Sequence, residues 1–203
     1  MDKLTAFKRL LQLKQELGVN HFTIADLRKI FPEHQKYMHI YAHRLTKAGI
    51  LQQVYKGVYV LADQPYDVKK LACQIYYPSY VSLQTALSIY GVINQGTYDV
   101  TLVTTRRTKQ INVNGVTLRY FRIKPHLFFG YSVDNSTATA VLEKAILDTL
   151  YFVVFGKLHI DLTEWDPYVL KDVKKARLRE FLRQYSTPAR ARLQKKLVQL
   201  KLV

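Results

Sequence analysis

The stretch HIYAHRLTKAGILQQVYKGVYVL, positions 39–61, constrains the fold more than any other. Met38, Tyr41, Leu45 and Ala48 recur every three or four residues, which predicts a helix from about Glu33 to Ala48 with one face turned to a core. Gly49 ends that helix. The alternation in ILQQVYKGVYVL then predicts two short strands about a tight turn at Tyr55-Lys56-Gly57, where glycine supplies the positive φ. A helix feeding straight into a hairpin this small cannot bury its apolar stripe on the hairpin alone, so other helices must lie against it.

Two candidates precede it. In LTAFKRLLQLKQELG, Leu4, Phe7, Leu10, Leu11, Leu13 and Leu17 fall near helical spacing, and Gly18 closes the segment. In TIADLRKIF, Thr23 stands at an N-cap with Asp26 three residues on, as in a capping box. Ile24, Leu27 and Ile30 or Phe31 make its stripe, and Pro32 ends it for want of a backbone donor. Three helices and a hairpin within residues 1–64 are the layout of a winged helix-turn-helix, whose third helix enters the major groove of DNA. The outward face of that helix carries Lys36, His39 or Ile40, His43, Arg44 and Lys47. Lys36, Arg44, Lys47 and Lys56 fit phosphate neutralisation, whereas Gln35, His39 and His43 fit contacts to base edges. A winged helix used only for protein contacts, its cations a solvated face, is the alternative. His39 and His43 also have a metal-ligand spacing, but no third ligand or HExxH pattern accompanies them and no metal is expected.

Charge supports a polyanionic partner. The net charge is +16 and the excess of lysine and arginine runs along the whole chain, which favours nucleic acid first, with solubility by self-repulsion as the plainer alternative. The single cysteine, Cys73, cannot form an internal disulfide or a cysteine zinc cage, which fits a reducing cytoplasm; it reads as a small buried apolar residue. The longest uncharged apolar stretch, residues 150–155, is far short of the ~20 residues of a membrane span, and MDKLTAFKRL lacks the apolar core of a signal peptide.

ADQPYD at 62–67 predicts a boundary at Pro65, with residues 65–203 forming a mixed α/β domain that has a basic helical C-terminus. The expected class is therefore α+β. VKKLACQIYY and SLQTALSIYG read as short helices, the second with Ser82 as N-cap and Gly91 past its end. YDVTLVTT reads as a strand, and VNGV at 113–116 as an Asn-Gly hairpin turn leading into VTLRYFRI. HLFFGY is expected as another strand. TATAVLEKAILDTLYFVVFG is expected as one buried helix through Val141, Leu142, Ala145, Ile146 and Leu150, ended by Gly156. From 172 onward, ten lysines and arginines face Asp172 and Glu180. STPARARLQKKLVQLKLV offers Pro188 near a first helical position and Leu193, Leu197 and Leu200 on one side. Such basic amphipathic helices can bind membranes or acidic partners, but more often dock their apolar face on their own core.

YPSYVSLQTALSIYGVI (77–93), VTLVTTRRTKQINVNGVTLRYFRI (100–123), FFGY (128–131) and LEKAILDTLYF (142–152), in this order and spacing, resemble the AbiEi-type antitoxins of abortive-infection, type IV toxin–antitoxin systems. KGVYVL resembles that family's wing signature. The chain departs from the family in LEKA, where PEKA is usual, and in Lys56, which keeps the charge of the usual wing arginine but loses its bidentate geometry. The resemblance implies a cytoplasmic, cofactor-free repressor-antitoxin for phage defence. Its winged helix would bind inverted repeats of its own promoter in double-stranded DNA, and its second domain would oppose a nucleotidyltransferase-type toxin, with or without direct contact. Only the winged-helix positions carry over as DNA contacts. Arg106, Arg107 and Lys109 stand, from charge alone, as an antitoxin or secondary basic surface.

An enzyme is not expected. The partner toxin needs a Gly-Ser turn and paired aspartates, and this chain has neither Gly-Ser nor Asp-x-Asp. Asp166, Asp172 and Lys174 loosely resemble a carboxylate–carboxylate–lysine nuclease site. Glu143 and Asp148, five apart on a helix, make a poor acid/base pair. A regulator with no toxin partner and a magnesium-dependent nuclease are the competing readings.

Overall fold

The computed structural model describes residues 3–94 and 99–203. Among them, eight α-helices and two sheets form a mixed, α+β architecture, and no helix is long and apolar enough to cross a membrane. The chain divides into two compact units, Met1–Leu71 with Asn112–Gly115, and Ala72–Ile111 with Val116–Val203.

The first unit runs α1 (Lys3–Leu17), β1 (Phe22–Thr23), α2 (Ile24–Ile30), a 3-10 segment (Pro32–Tyr37), α3 (Met38–Lys47), β2 (Leu51–Tyr55) and β3 (Val58–Leu61). The strands form an antiparallel sheet in the order β1-β3-β2, and the central β3 is buried along its length. Ala6, Leu10, Phe22, Leu27, Phe31, Met38 and Leu45 share one core. On α1 the burial centres on Ala6 and Leu10, one turn apart, so Leu4 and Leu17 at the helix ends are exposed despite their spacing.

Thr23 caps α2 as its spacing predicts. Its hydroxyl accepts the Asp26 N–H at 3.2 Å, and the Asp26 carboxylate accepts the Thr23 N–H at 2.8 Å, which satisfies two of the N–H groups a helix start leaves over. The third helix is shorter than expected. Pro32 opens a 3-10 turn, and Tyr37, at φ −119° and ψ 31°, interrupts the helical run, so α3 starts at Met38 instead of Glu33. Gly57, at φ +73°, makes the β2–β3 turn, and its carbonyl accepts the N–H of Ile24 at 3.2 Å.

The linker belongs with the first unit. The Asn20 side chain bonds both the N–H and the carbonyl of Asp67, at 3.0 and 2.9 Å, and the Lys70 ammonium donates to the Gly18 carbonyl at 3.0 Å. The division consequently falls inside α4 (Val68–Ile75), at Leu71/Ala72, past the expected break at Pro65.

The chain continues with β4 (Ser79–Val81), α5 (Leu83–Ile89), β5 (Val100–Thr104), β6 (Lys109–Val113), β7 (Val116–Arg122), β8 (Tyr131–Asp134), β9 (Thr137–Ala140), α6 (Leu142–Val154), α7 (Lys175–Leu182) and α8 (Thr187–Gln199), all in the second unit except the last two residues of β6. Tyr98, at the head of the stretch expected as a strand, lies outside the described residues. The six strands are ordered β6-β7-β5-β4-β9-β8. β5 runs parallel to β7 and β4 to β9, while β4–β5 and β8–β9 are antiparallel.

Two expectations fail here for local reasons. HLFFGY is not a strand: Pro125 opens a 3-10 turn over Pro125–Leu127, and Gly130, at φ +72°, turns the chain before β8 begins at Tyr131. TATA is not helical: Thr137–Ala140 is β9, and α6 starts only at Leu142. Its strict Thr/Ala alternation is a period-2 signal. Gly130 has no room for a side chain, since a Cβ there would meet Phe181 Cε2 at 3.0 Å and Lys144 Cβ at 3.1 Å. The basic tail docks inward, as amphipathic spacing predicts: Leu178, Leu182, Tyr185, Ala189, Leu193 and Leu197 join the core built on α5 and α6.

Candidate nucleic-acid interface

Helix α3 sorts its residues by face. Met38, Tyr41, Ala42 and Leu45 are buried, and His39, Ile40, His43, Arg44 and Lys47 are exposed. His39, His43 and Lys47 follow one another at four-residue steps, which stacks them in a row along the helix, with Ile40 and Arg44 in the next row. Gln35 and Lys36 are exposed on the preceding 3-10 segment instead of on the helix itself. That segment is held to α3 by His34, whose ring stacks on Tyr41 at 3.8 Å and 24°. Phe31 meets Tyr41 edge-on at 5.4 Å. Burial, and then the Glu33 carboxylate, push the Tyr41 hydroxyl pKa above its ordinary value.

Among the described residues, Lys36, Arg44, Lys47 and Lys56 enter no ion pair; those present join Arg119 to Asp99, Lys144 to Asp148 and Arg177 to Glu143. Lys36 lies 5.5 Å from the ring centre of exposed Tyr37. Lys56 is exposed at the tip of the β2–β3 turn. Exposed cations with no carboxylate partner keep their full charge for a polyanion. Ile40, 54% exposed, resolves the choice between positions 39 and 40: both face outward. An apolar side chain on such a face suits the methyl group of thymine, and its exposure is the one signal that residue spacing left open.

Arg106, Arg107 and Lys109 belong to the second unit, whereas α3 belongs to the first. They surround Tyr76. The Arg106 guanidinium lies 4.5 Å and the Lys109 ammonium 5.2 Å from its ring centre, and the Tyr76 hydroxyl donates to the Arg107 carbonyl at 3.0 Å. Of the loose nuclease-like trio, the Asp166 carboxylate accepts the Tyr168 N–H at 2.7 Å, and the Lys174 backbone N–H donates to Glu143 at 2.8 Å. Among the described residues, no three His, Cys, Asp or Glu side chains gather as a metal site.

In α6, Glu143, Lys144 and Asp148 are all buried. Lys144 pairs with Asp148 one turn away. Asp148 also accepts the hydroxyls of Tyr80 and Ser82, each at 2.9 Å. Burial pushes the Asp148 pKa up and the Lys144 pKa down, each opposed by the attraction within the pair. Ser82 therefore does not cap α5 with its side chain. The first-turn N–H of Thr85 is taken instead by the Thr101 hydroxyl at 3.0 Å, and that hydroxyl donates to the Ser82 carbonyl at 2.7 Å.

No family model matches the chain, and no curated protein matches it. Among solved structures it is similar to the crystal structure of the RV2827C protein from Mycobacterium tuberculosis. The TM-score is 0.63 at 14% identity, over 97% of this chain and 77% of that one. At that identity the likeness is one of fold.

Proposed function

We propose that this chain is a DNA-binding transcriptional repressor and the antitoxin of a type IV toxin–antitoxin pair. Its first unit acts as a winged helix-turn-helix. The element order α1-β1-α2-α3-β2-β3 and the sheet order β1-β3-β2 support that assignment, with α3 as the groove-reading helix and the β2–β3 turn as the wing. The observation that carries the reading is the face of α3: His39, Ile40, His43, Arg44 and Lys47 exposed, with no carboxylate paired to its cations. Arg44, Lys47, Lys56 and Lys36 neutralise phosphates. Gln35, His39, Ile40 and His43 meet base edges. The antitoxin role rests on the resemblance of residues 77–152 to the AbiEi-type family, and with it come a cytoplasmic location, phage defence and a nucleotidyltransferase-type toxin as antagonist.

Binding of the full-length protein to its own upstream region, against scrambled DNA of equal length at physiological salt, tests the repressor reading. Specific complexes should be ~10³-fold or more tighter than non-specific ones; equal affinity for both overturns it. Co-expression with the product of the adjacent open reading frame tests the antitoxin role, which requires that this chain restore growth.

A further inference from the structure

Helix α3 divides its outward face along its length. Arg44 and Lys47 stand toward its C-terminal end, whereas His39 and Ile40 are its second and third residues and Tyr37 immediately precedes it. A groove-reading helix turns its N-terminal residues to the base edges. At that end two large apolar side chains stand in water: Tyr37, 61% exposed, and Ile40, 54%. The other exposed large apolar residues described in the first unit, Leu4 and Leu17, lie singly at opposite ends of α1, which is ordinary for a protein surface.

Tyr37 and Ile40 differ from these in their setting. They are three residues apart, and cations flank them. The Lys36 ammonium lies 5.5 Å from the Tyr37 ring centre, and exposed His43 and Arg44 follow Ile40 at i+3 and i+4, one turn farther along the same side. Ile40 faces away from the core, which takes Met38, Tyr41, Ala42 and Leu45 from the opposite side of α3. A protein partner covering this patch would draw the flanking cations out of water with it, at a cost in desolvation. In a DNA groove the same cations keep phosphates beside them.

The major groove offers hydrogen-bonding groups at every base pair but a single kind of apolar group, the C5-methyl of thymine. We infer that Ile40 is a specificity-determining residue that closes on the C5-methyl of one thymine in the operator, with the Tyr37 ring completing the apolar patch around it. The inference rests on the duplex-binding reading of α3 and names what that helix reads. A phosphate contact would gain nothing from an isoleucine, which carries neither charge nor donor.

The test uses the full-length protein and its upstream duplex, with each thymine replaced in turn by deoxyuridine. Uracil keeps every hydrogen-bonding group of thymine and lacks only the methyl. At a thymine under α3 the parent should lose ~4-fold in affinity, the size of one buried methyl group. Ile40→Ala should lose a similar factor on the thymine duplex and bind the uracil duplex as the parent does, because the two changes remove one contact between them. Ile40→Val, which keeps a branched apolar end, should again distinguish the two duplexes. Affinity for scrambled DNA, unaltered in both variants, verifies folding, since it registers phosphate contacts alone. A parent that prefers its upstream region yet tolerates uracil at every thymine overturns the inference and leaves the repressor reading standing. So does a uracil penalty of equal size in the parent and Ile40→Ala. A parent with no preference for the upstream region over scrambled DNA overturns both.

Discussion

Helices α3 and α6 both carry ionisable side chains at four-residue steps, and they use them in opposite ways. On α3 the row His39-His43-Lys47 faces water with no acidic partner. On α6 the Lys144–Asp148 pair is sealed in the core, with Tyr80 and Ser82 completing its hydrogen bonds. What separates the two helices is the company each keeps. α3 offers its buried face to one side only, whereas α6 is buried from Glu143 to Leu150 because α5, α7 and α8 pack around it. Identical local spacing therefore yields a solvent-facing cationic row in one place and internal scaffolding in the other.

The contrast can be broken most forcefully at Asp148. Asp148→Ala leaves Lys144 buried without its counter-charge and should cost ~3–5 kcal/mol of unfolding free energy in urea denaturation. Replacing both members by apolar residues, Lys144→Met with Asp148→Leu, should recover most of that loss, as buried pairs replaced together do. A full loss in the double variant would mean that the pair does more than fill the core.

On α3 the same operation should leave stability nearly untouched and act on binding. His43→Ala should weaken specific complexes with the upstream region by ~1–3 kcal/mol if it reads a base, and Arg44→Ala should weaken binding about equally across sequences, both with stability inside about 0.5 kcal/mol of the parent. Unchanged footprints in both variants would remove α3 from the groove. The smallest effect is expected at the wing. Lys56→Ala should lower the slope of log affinity against log salt by about one, equally for all sequences, and an unaltered slope would place Lys56 away from the phosphates.

Much of the first unit was legible because its signals are local. The Thr23–Asp26 reciprocity, the stop at Pro32 and the positive φ of Gly57 each depend on residues within a few positions. The start of α3 was not legible, because the interruption at Tyr37 follows from how the His34–Tyr41 stack seats the 3-10 segment. In the second unit the errors are of longer range. Ser82 has the sequence context of an N-cap, but Asp148, distant in the chain, claims its hydroxyl and Thr101 serves the helix in its stead. The burial expected for α6 came from its apolar residues, but that its charges are sealed in with them depends on α5, α7 and α8 packing around the helix. The cation turn at Arg106 was visible from composition, but its aromatic neighbours Tyr76 and Tyr77 come from another element.

Gly130 ties three parts of the second unit into one substitution rule. Because its missing side chain is space already occupied by Phe181 of α7 and by Cβ of Lys144 of α6, and because its φ of +72° disfavours other residues, a side chain at 130 should press against α6 and α7 together and destabilise the unit. Shortening the side chain at 181 or at 144 should therefore not by itself make room at 130, since the backbone conformation still favours glycine there.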